Sequence, residues 1–313
     1  MLRFTRHPTG QLNSSWYNGT LQVYPGYQGD AMCYYVSNIN GNDGNNGLSW
    51  ERPFATIQAG LDRARYVAGT AVVDNIVDHH SFVFVAPGVY NEELLWEGYN
   101  IHLIGCGGLP GAAYGPVINQ DGAGGVATST FSFSGSGNEI ANFHINMATA
   151  FAAVLCTAGN NNWIHDNVIR MDGTNATNGI HMMDCMDTVI ENNVIDLPTV
   201  YGIYIDGGAG QDFSGSTIRG NHIHGETAGV IGIQVDADVA TCVNSVITDN
   251  HIDVVGGGAG ALGIVNAFVG PLLVTRNMIV VGAGATLATH AGTGMLHNCG
   301  SINGVVTVEL DDD

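Results

Sequence analysis

Five copies of one short motif, apolar-x-x-Asn-x-Ile, run through the second half of this 313-residue chain. They read IHDNVI (164–169), IENNVI (190–195), IRGNHI (218–223), ITDNHI (247–252) and VTRNMI (274–279). Their asparagines, Asn167, Asn193, Asn221, Asn250 and Asn277, are 26, 28, 29 and 27 residues apart. A second marker, glycine followed by an apolar residue, alternates with the first at Gly179, Gly202, Gly232, Gly263 and Gly294. A period of this length is the signature of a solenoid. The residues between markers are β-branched and alternate in polarity, as in GIYID and GIQVD, and nothing there has the length or period of a helix. The unit is therefore a coil of short strands, stacked about 4.8 Å from the next so that each strand type builds a parallel sheet along the axis. Ile164, Ile169, Ile190, Ile195, Ile218, Ile223, Ile247 and Ile252 are expected to form interior stacks, each side chain contributing roughly 1.5–3 kcal/mol on burial. One coil cannot bury its own apolar face, and the stack can. The asparagines are expected to occupy left-handed corners and to hydrogen-bond from coil to coil.

Two upstream segments extend the pattern: YYVSNINGNDGNNGLSWERPFATIQAGLDRA (34–64) and SFVFVAPGVYNEEL (81–94). With the repeats from about 138 to 282, they resemble the right-handed parallel β-helix, or pectate-lyase-like, superfamily, to which phage tailspikes and other virion proteins also belong. The resemblance implies an all-β fold, a right-handed parallel β-helix solenoid with a short N-terminal capping helix near 53–66 and a first coil at VFVAPGVY. The residues agree, because Ile57, Leu61 and Ala64 share one helical face. Residues 1–33, polar and aromatic, read as an N-terminal extension that docks or assembles, and 34–313 as the β-helix domain. The chain stops at GVVTVELDDD, so the last strands or a partner are expected to cover the final coil.

Composition removes several function classes. The eight basic residues are all arginine, against 28 acidic residues and a net charge of −20. Such a chain repels nucleic acid, and without lysine it has no lysine base or Schiff-base chemistry. The N-terminal MLRFTRHPTGQLNSSW carries no apolar signal segment, which predicts cytoplasmic synthesis and no membrane insertion. Cys33, Cys106, Cys156, Cys185, Cys242 and Cys299 show no CxxC spacing and read as reduced, mostly buried residues. GAGALG (258–263) matches a dinucleotide fingerprint but leads into no helix, so the repeat register assigns its glycines to a turn.

Alternation along each strand predicts which residues face outward. From each marker glycine the outward columns are His181, Tyr204, Gln234, Val265, Leu296 and Met183, Asp206, Asp236, Ala267, Asn298. Asp206 and Asp236 thus become neighbours, with Asp184 and Asp238 close by. Paired carboxylates beside an aromatic ring suit glycoside hydrolysis, one as acid and one as base or nucleophile, so Asp206 and Asp236 are the catalytic candidates. His181, Tyr204, Gln234 and Tyr201 are the candidate ligand-binding residues. NHIHGE (221–226) and NHIDVV (250–255) stack His222 and His224 on His251 and Asp253, donors that suit a divalent metal, although the fold requires no cofactor. Lyases of the superfamily use calcium carboxylates with a basic residue, and only Arg170, Arg219 and Arg276 fall in the repeats.

These features predict a virion or surface structural protein, tailspike-like, a fibre or a capsid-decoration subunit, made without a secretion signal and able to bind polysaccharide. Its expected partners are other virion or surface proteins and copies of itself, with a trimer implied by the resemblance. The alternative is a polysaccharide hydrolase or lyase acting through Asp206 and Asp236.

Overall fold

The computed structural model describes residues 14–17, 20–23, 32–65, 80–107, 115–119, 129–147, 151–171, 176–207, 210–255, 260–268, 270–283, 286–290, 296–302 and 305–308. Three parallel ladders run along one solenoid. The first stacks Met32–Val36, Ser81–Val85, Ile101–Gly105, Glu139–Ala141, Trp163–His165, Val189–Glu191, Thr217–Arg219, Ser245–Thr248 and the first half of Leu272–Val281. The second stacks Gly88–Tyr90, Pro116–Asn119, His144–Met147, Val168–Met171, Val194–Asp196, His222–His224, His251–Val254 and the second half of Leu272–Val281. The third runs from Leu94–Glu97 through Phe131–Ser134, Ala152–Ala158, Asn178–Met182, Tyr201–Ile205, Ile231–Val235 and Leu262–Asn266 to Thr286–His290. The chain is an all-β parallel β-helix, as the repeat predicts.

The interior is the predicted one. Ile164, Ile190, Ile218 and Ile247 stack in register on the first ladder, and Ile169, Ile195, Ile223 and Ile252 on the second, all fully buried. One helix, Ile57–Arg65, closes the N-terminal end by burying Ile57, Gly60, Leu61 and Ala64. Its free amides are capped from outside the helix: the Glu92 carboxylate accepts from Ile57 N at 2.9 Å and Gln58 N at 3.0 Å. At the far end Leu296–Ile302 adds to the parallel stack, and Val305–Val308 turns back antiparallel on it. Ser14–Tyr17 and Thr20–Val23 pair with each other as a separate two-stranded sheet; the rest of the proposed extension up to residue 31 lies outside the described residues. Among the described residues no helix is long and apolar enough to cross a membrane.

Two expectations need correcting. The marker asparagines do not sit in the left-handed conformation. The residue before each of them does: Asp166 (φ 55), Asn192 (φ 55), Gly220 (φ 64), Asp249 (φ 57) and Arg276 (φ 55). The corner needs a left-handed residue and, next to it, a buried amide that bonds in both directions along the axis, and one residue cannot do both. Asn167, Asn193, Asn221, Asn250 and Asn277 take the second role, the first four each passing a side-chain hydrogen bond to the next at 2.8–3.0 Å. The second correction concerns the last coil. Leu262 pairs with Thr286, so Thr289 is the register partner of Val265, whereas Leu296 pairs with Val274 in another ladder. Four residues separate Val281 from Thr286, against seven between Val254 and Leu262, so the coil is shorter than the period predicts.

The marker glycines have a steric cause. A β-carbon on Gly202 would meet the Gly232 carbonyl oxygen and Ile223 Cγ2, both at 2.5 Å, and Gly179 and Gly232 are equally crowded. The backbone of one coil is packed against the isoleucine row and the next coil with no room for a methyl group. Gly202→Ala is therefore expected to destabilise the fold by about 1–3 kcal/mol, read as a lower urea midpoint with an unchanged slope.

Candidate functional site

The outward side of the third ladder gathers the predicted ligand-binding and carboxylate residues. Strand register sets His181 beside Tyr204 and Tyr204 beside Gln234, and Asp206 and Asp236 follow the ends of their strands. The Tyr204 hydroxyl lies 2.6 Å from Asp236 Oδ2 and 3.2 Å from Asp206 Oδ1, bridging the two carboxylates. The other oxygen of Asp206 accepts from His181 Nε2 at 3.1 Å. An ionised carboxylate only accepts, so His181 carries its proton on Nε2, and its Nδ1 faces the Asn178 amide nitrogen at 3.5 Å.

Burial sets the protonation of this chain of groups. His181 is 2% exposed, and burial lowers its pKa, with the Asp206 bond opposing only in part. It is a neutral imidazole at physiological pH. Tyr204 is held far above the usual phenol range, first by burial and then by the acceptor Asp236 and the charge of Asp206, so its hydroxyl stays a donor. Rings surround these polar groups. Tyr201 stacks on Tyr204 with centroids 4.5 Å apart, and Phe151, 41% exposed, lies 5.0 Å from His181. Phe151 was not visible as a site residue in the sequence, because it precedes its strand and lies outside both repeat markers.

The histidines of the second ladder are in the expected register, His222 beside His251 and His224 beside Asp253, but they do not converge. The His222 and His251 rings lie stacked at 4.6 Å and 13°, while His224 Nδ1 bonds to Asp196 at 2.8 Å. A flat ladder holds neighbouring side chains parallel, whereas a metal needs donors aimed at one point. Among the described residues no group of three or more His, Cys, Asp or Glu is placed to hold a metal ion. The repeat arginines are engaged too, Arg219 with Glu191 at 2.5 Å and Arg276 with Asp249 at 2.7 Å.

A third constellation, on the outer side of the first ladder, was not foreseen. His80 Nδ1 is 2.6 Å from His102 Nε2, and His102 Nδ1 is 2.6 Å from Glu139 Oε2. Glu139 Oε1 is 2.9 Å from His165 Nε2, and His165 Nδ1 is 2.8 Å from Asp166. His102, Glu139 and His165 are all buried. Burial alone would raise the Glu139 pKa, but hydrogen bonds from His102 and His165 outweigh it and hold the carboxyl far below its usual range. Burial alone would lower that of His165, but its bonds to Asp166 and Glu139 push it up to about 9. At neutral pH the centre is an imidazolium clamped between two carboxylates, with the Trp163 ring 3.8 Å from His165. Its signal in the sequence was weak: in IANFHI (140–145) a phenylalanine replaces the marker asparagine, so the coil that aligns Glu139 with His102 cannot be registered by eye.

With this geometry in hand, comparison with known proteins places the chain. The family model described as NosD, periplasmic copper-binding protein, matches residues 113–271, half of the sequence. The chain belongs to the NosD family. The matched span covers the coils that carry both the outer third-ladder site and the Glu139–His165 pair. No curated protein matches the chain. Among solved structures, this NosD-family chain is similar to a rhamnogalacturonan lyase at 13% identity, over 81% of this chain and 74% of that one, with a TM-score of 0.46. It is similar to ORF18 of Geobacillus virus E2 at 11% identity, over 93% and 68%, with a TM-score of 0.46. A GH136 lacto-N-biosidase from Eubacterium ramulus matches at 11% identity, over 87% and 67%, with a TM-score of 0.37.

Proposed function

We propose that this chain is a structural β-helix whose third-ladder face binds glycan. The observation that carries the reading is the Tyr204 hydroxyl bridging Asp206 and Asp236 beside the Tyr201 ring. Aromatic faces receive the apolar side of a sugar ring, and fixed carboxylates accept its hydroxyl protons. Asp184, Asp206, Asp236 and Asp238 make the face acidic within a chain of net charge −20, which repels uronates and other acidic sugars. The ligand class is therefore a neutral or amino-sugar polysaccharide. Such a face is of use at a virion or cell surface, in company with other surface proteins or as a homo-oligomer; a trimer would be read directly from the mass in solution.

The decisive experiment is binding to a panel of neutral, amino-sugar and uronate polysaccharides. Binding confined to the first two classes is expected, with Tyr201→Ala weakening it by about tenfold or more. A protein that binds none of them, or only uronates, overturns the reading.

A second reading rests on the same bridge. Two carboxylate oxygens bonded to one hydroxyl are no more than about 6 Å apart, near the spacing of about 5–5.5 Å that retaining glycosidases use. Hydrolysis by Asp206 and Asp236 predicts reducing-sugar release that Asp206→Asn or Asp236→Asn abolishes, whereas binding without release leaves the face a receptor. Lyase chemistry has less support, since Arg219 and Arg276 are both held by carboxylates. Among the described residues, the second-ladder donors do not fit the copper in the family's description: the His222 and His251 rings are stacked face to face and His224 is held by Asp196.

A further inference from the structure

Cys156 and Cys185 lie 29 residues apart on successive coils, and their sulfurs are 3.1 Å apart inside the solenoid. Cys156 pairs with Met182 in the third ladder, and the turn that follows brings Cys185 back over it. Both are buried. We infer that Cys156 and Cys185 are a redox-convertible pair whose disulfide staples the coil carrying His181 to the coil before it.

The geometry asks for little movement. A disulfide needs its sulfurs at about 2.05 Å, roughly 1 Å closer than they stand. The thiol form already spends its contacts on this junction: Cys185 Sγ faces Cys156 Sγ and the Met183 carbonyl, and the Asn162 amide approaches Cys156 Sγ at 3.7 Å. Met183 N also bonds to the Cys156 carbonyl at 2.9 Å, so the backbones to be joined are already held together. With oxidised glutathione as the oxidant, one cysteine thiolate attacks its disulfide, forming a mixed disulfide and releasing glutathione. The second cysteine thiolate then displaces the other glutathione. Overall, two S–H bonds are lost, one S–S bond forms, and the oxidant is reduced to two thiols. Burial raises the Cys185 pKa, which disfavours the thiolate in the closed fold, so the bond forms as the coils assemble and is then sealed from solvent reductant.

The test is to unfold the full chain, refold it in glutathione buffers from reducing to oxidising, quench with an alkylating agent and map the peptides by mass. A cross-linked Cys156–Cys185 pair is expected, two hydrogens lighter than the free thiols, while Cys33, Cys106 and Cys242 remain alkylated. The oxidised protein should melt about 5 °C higher than the reduced one, a shift absent from Cys156→Ala and Cys185→Ala. Alkylation of both cysteines at every potential, or their cross-linking to other cysteines, overturns the inference. Should either variant fail to fold, the wild-type peptide map still decides. The outcome does not depend on whether the third-ladder face binds glycan.

Discussion

Asn193→Ala is expected to cost about 3–6 kcal/mol of folding stability. Asn193 is fully buried and sits mid-ladder. Its amide nitrogen donates to Asn221 Oδ1 and the Ile164 carbonyl, both at 3.0 Å, and its amide oxygen accepts from Asn167 N at 3.1 Å and Asn167 Nδ2 at 3.0 Å. Alanine strips two buried donors on Asn167 and the carbonyls of Ile164 and Glu191 of their partner at once. Each orphaned group costs about 1–3 kcal/mol. The adjacent Asn192→Gly is the control: its left-handed backbone suits glycine, and it should leave the unfolding free energy within a few tenths of a kcal/mol of the native value. Equal midpoints for Asn193→Ala and the native protein would mean that the ladder decorates the fold without holding it.

The second large effect is a pH dependence set by Glu139 and His165. His165 has its pKa raised from 6.5 to about 9 in the folded chain. Its stabilisation is complete below pH 6.5 and is lost as pH rises through about 9, a swing on the order of 3 kcal/mol. Glu139 is shifted the other way, downward from 4.5, so its stabilisation is present above pH 4.5 and is lost only as pH falls through its depressed folded value. The two shifts share one interaction and do not add in full. Together they place the stability maximum of the pair between pH 4.5 and 6.5, with a decline toward pH 9. The melting temperature measured from pH 4 to 10 tests this. Glu139→Gln should flatten the alkaline limb and cost about 3–5 kcal/mol at pH 6, because it leaves His102 and His165 without their shared carboxylate. An unchanged limb in that variant would place the pH dependence elsewhere, for example in the self-repulsion of the acidic chain.

How much of the site was legible follows from where the repeat markers lie. Asp206 and Asp236 could be set side by side because Gly202 and Gly232 fix their strands, and strand alternation then points the neighbouring Tyr204 and Gln234 outward. The direction of the bonds was not legible: periodicity aligns backbones, while the Tyr204 hydroxyl reaches both carboxylates only through the rotamers that packing selects. The histidines show the same limit. Register brought His222 beside His251, but parallel rings on a flat ladder do not converge on an ion. Phe151, His102 and Glu139 fall where no marker repeats, and nothing local in the sequence could register them.

By itself the sequence determined the solenoid, its coils of short strands, the isoleucine interior, the asparagine ladder and the face of the capping helix, because each of these depends on a residue type recurring at a fixed spacing. Only the tertiary structure decided that the corner's left-handed residue precedes the asparagine, that the last coil is short, and that Cys156 meets Cys185. It alone assembled the buried His102–Glu139–His165 chain. The corner is set by backbone conformation, which residue type alone does not fix, and the other features depend on loops of unequal length, where stacking converts a difference of a few residues into a new neighbour across the coil. Spacing along the chain carries no record of that conversion.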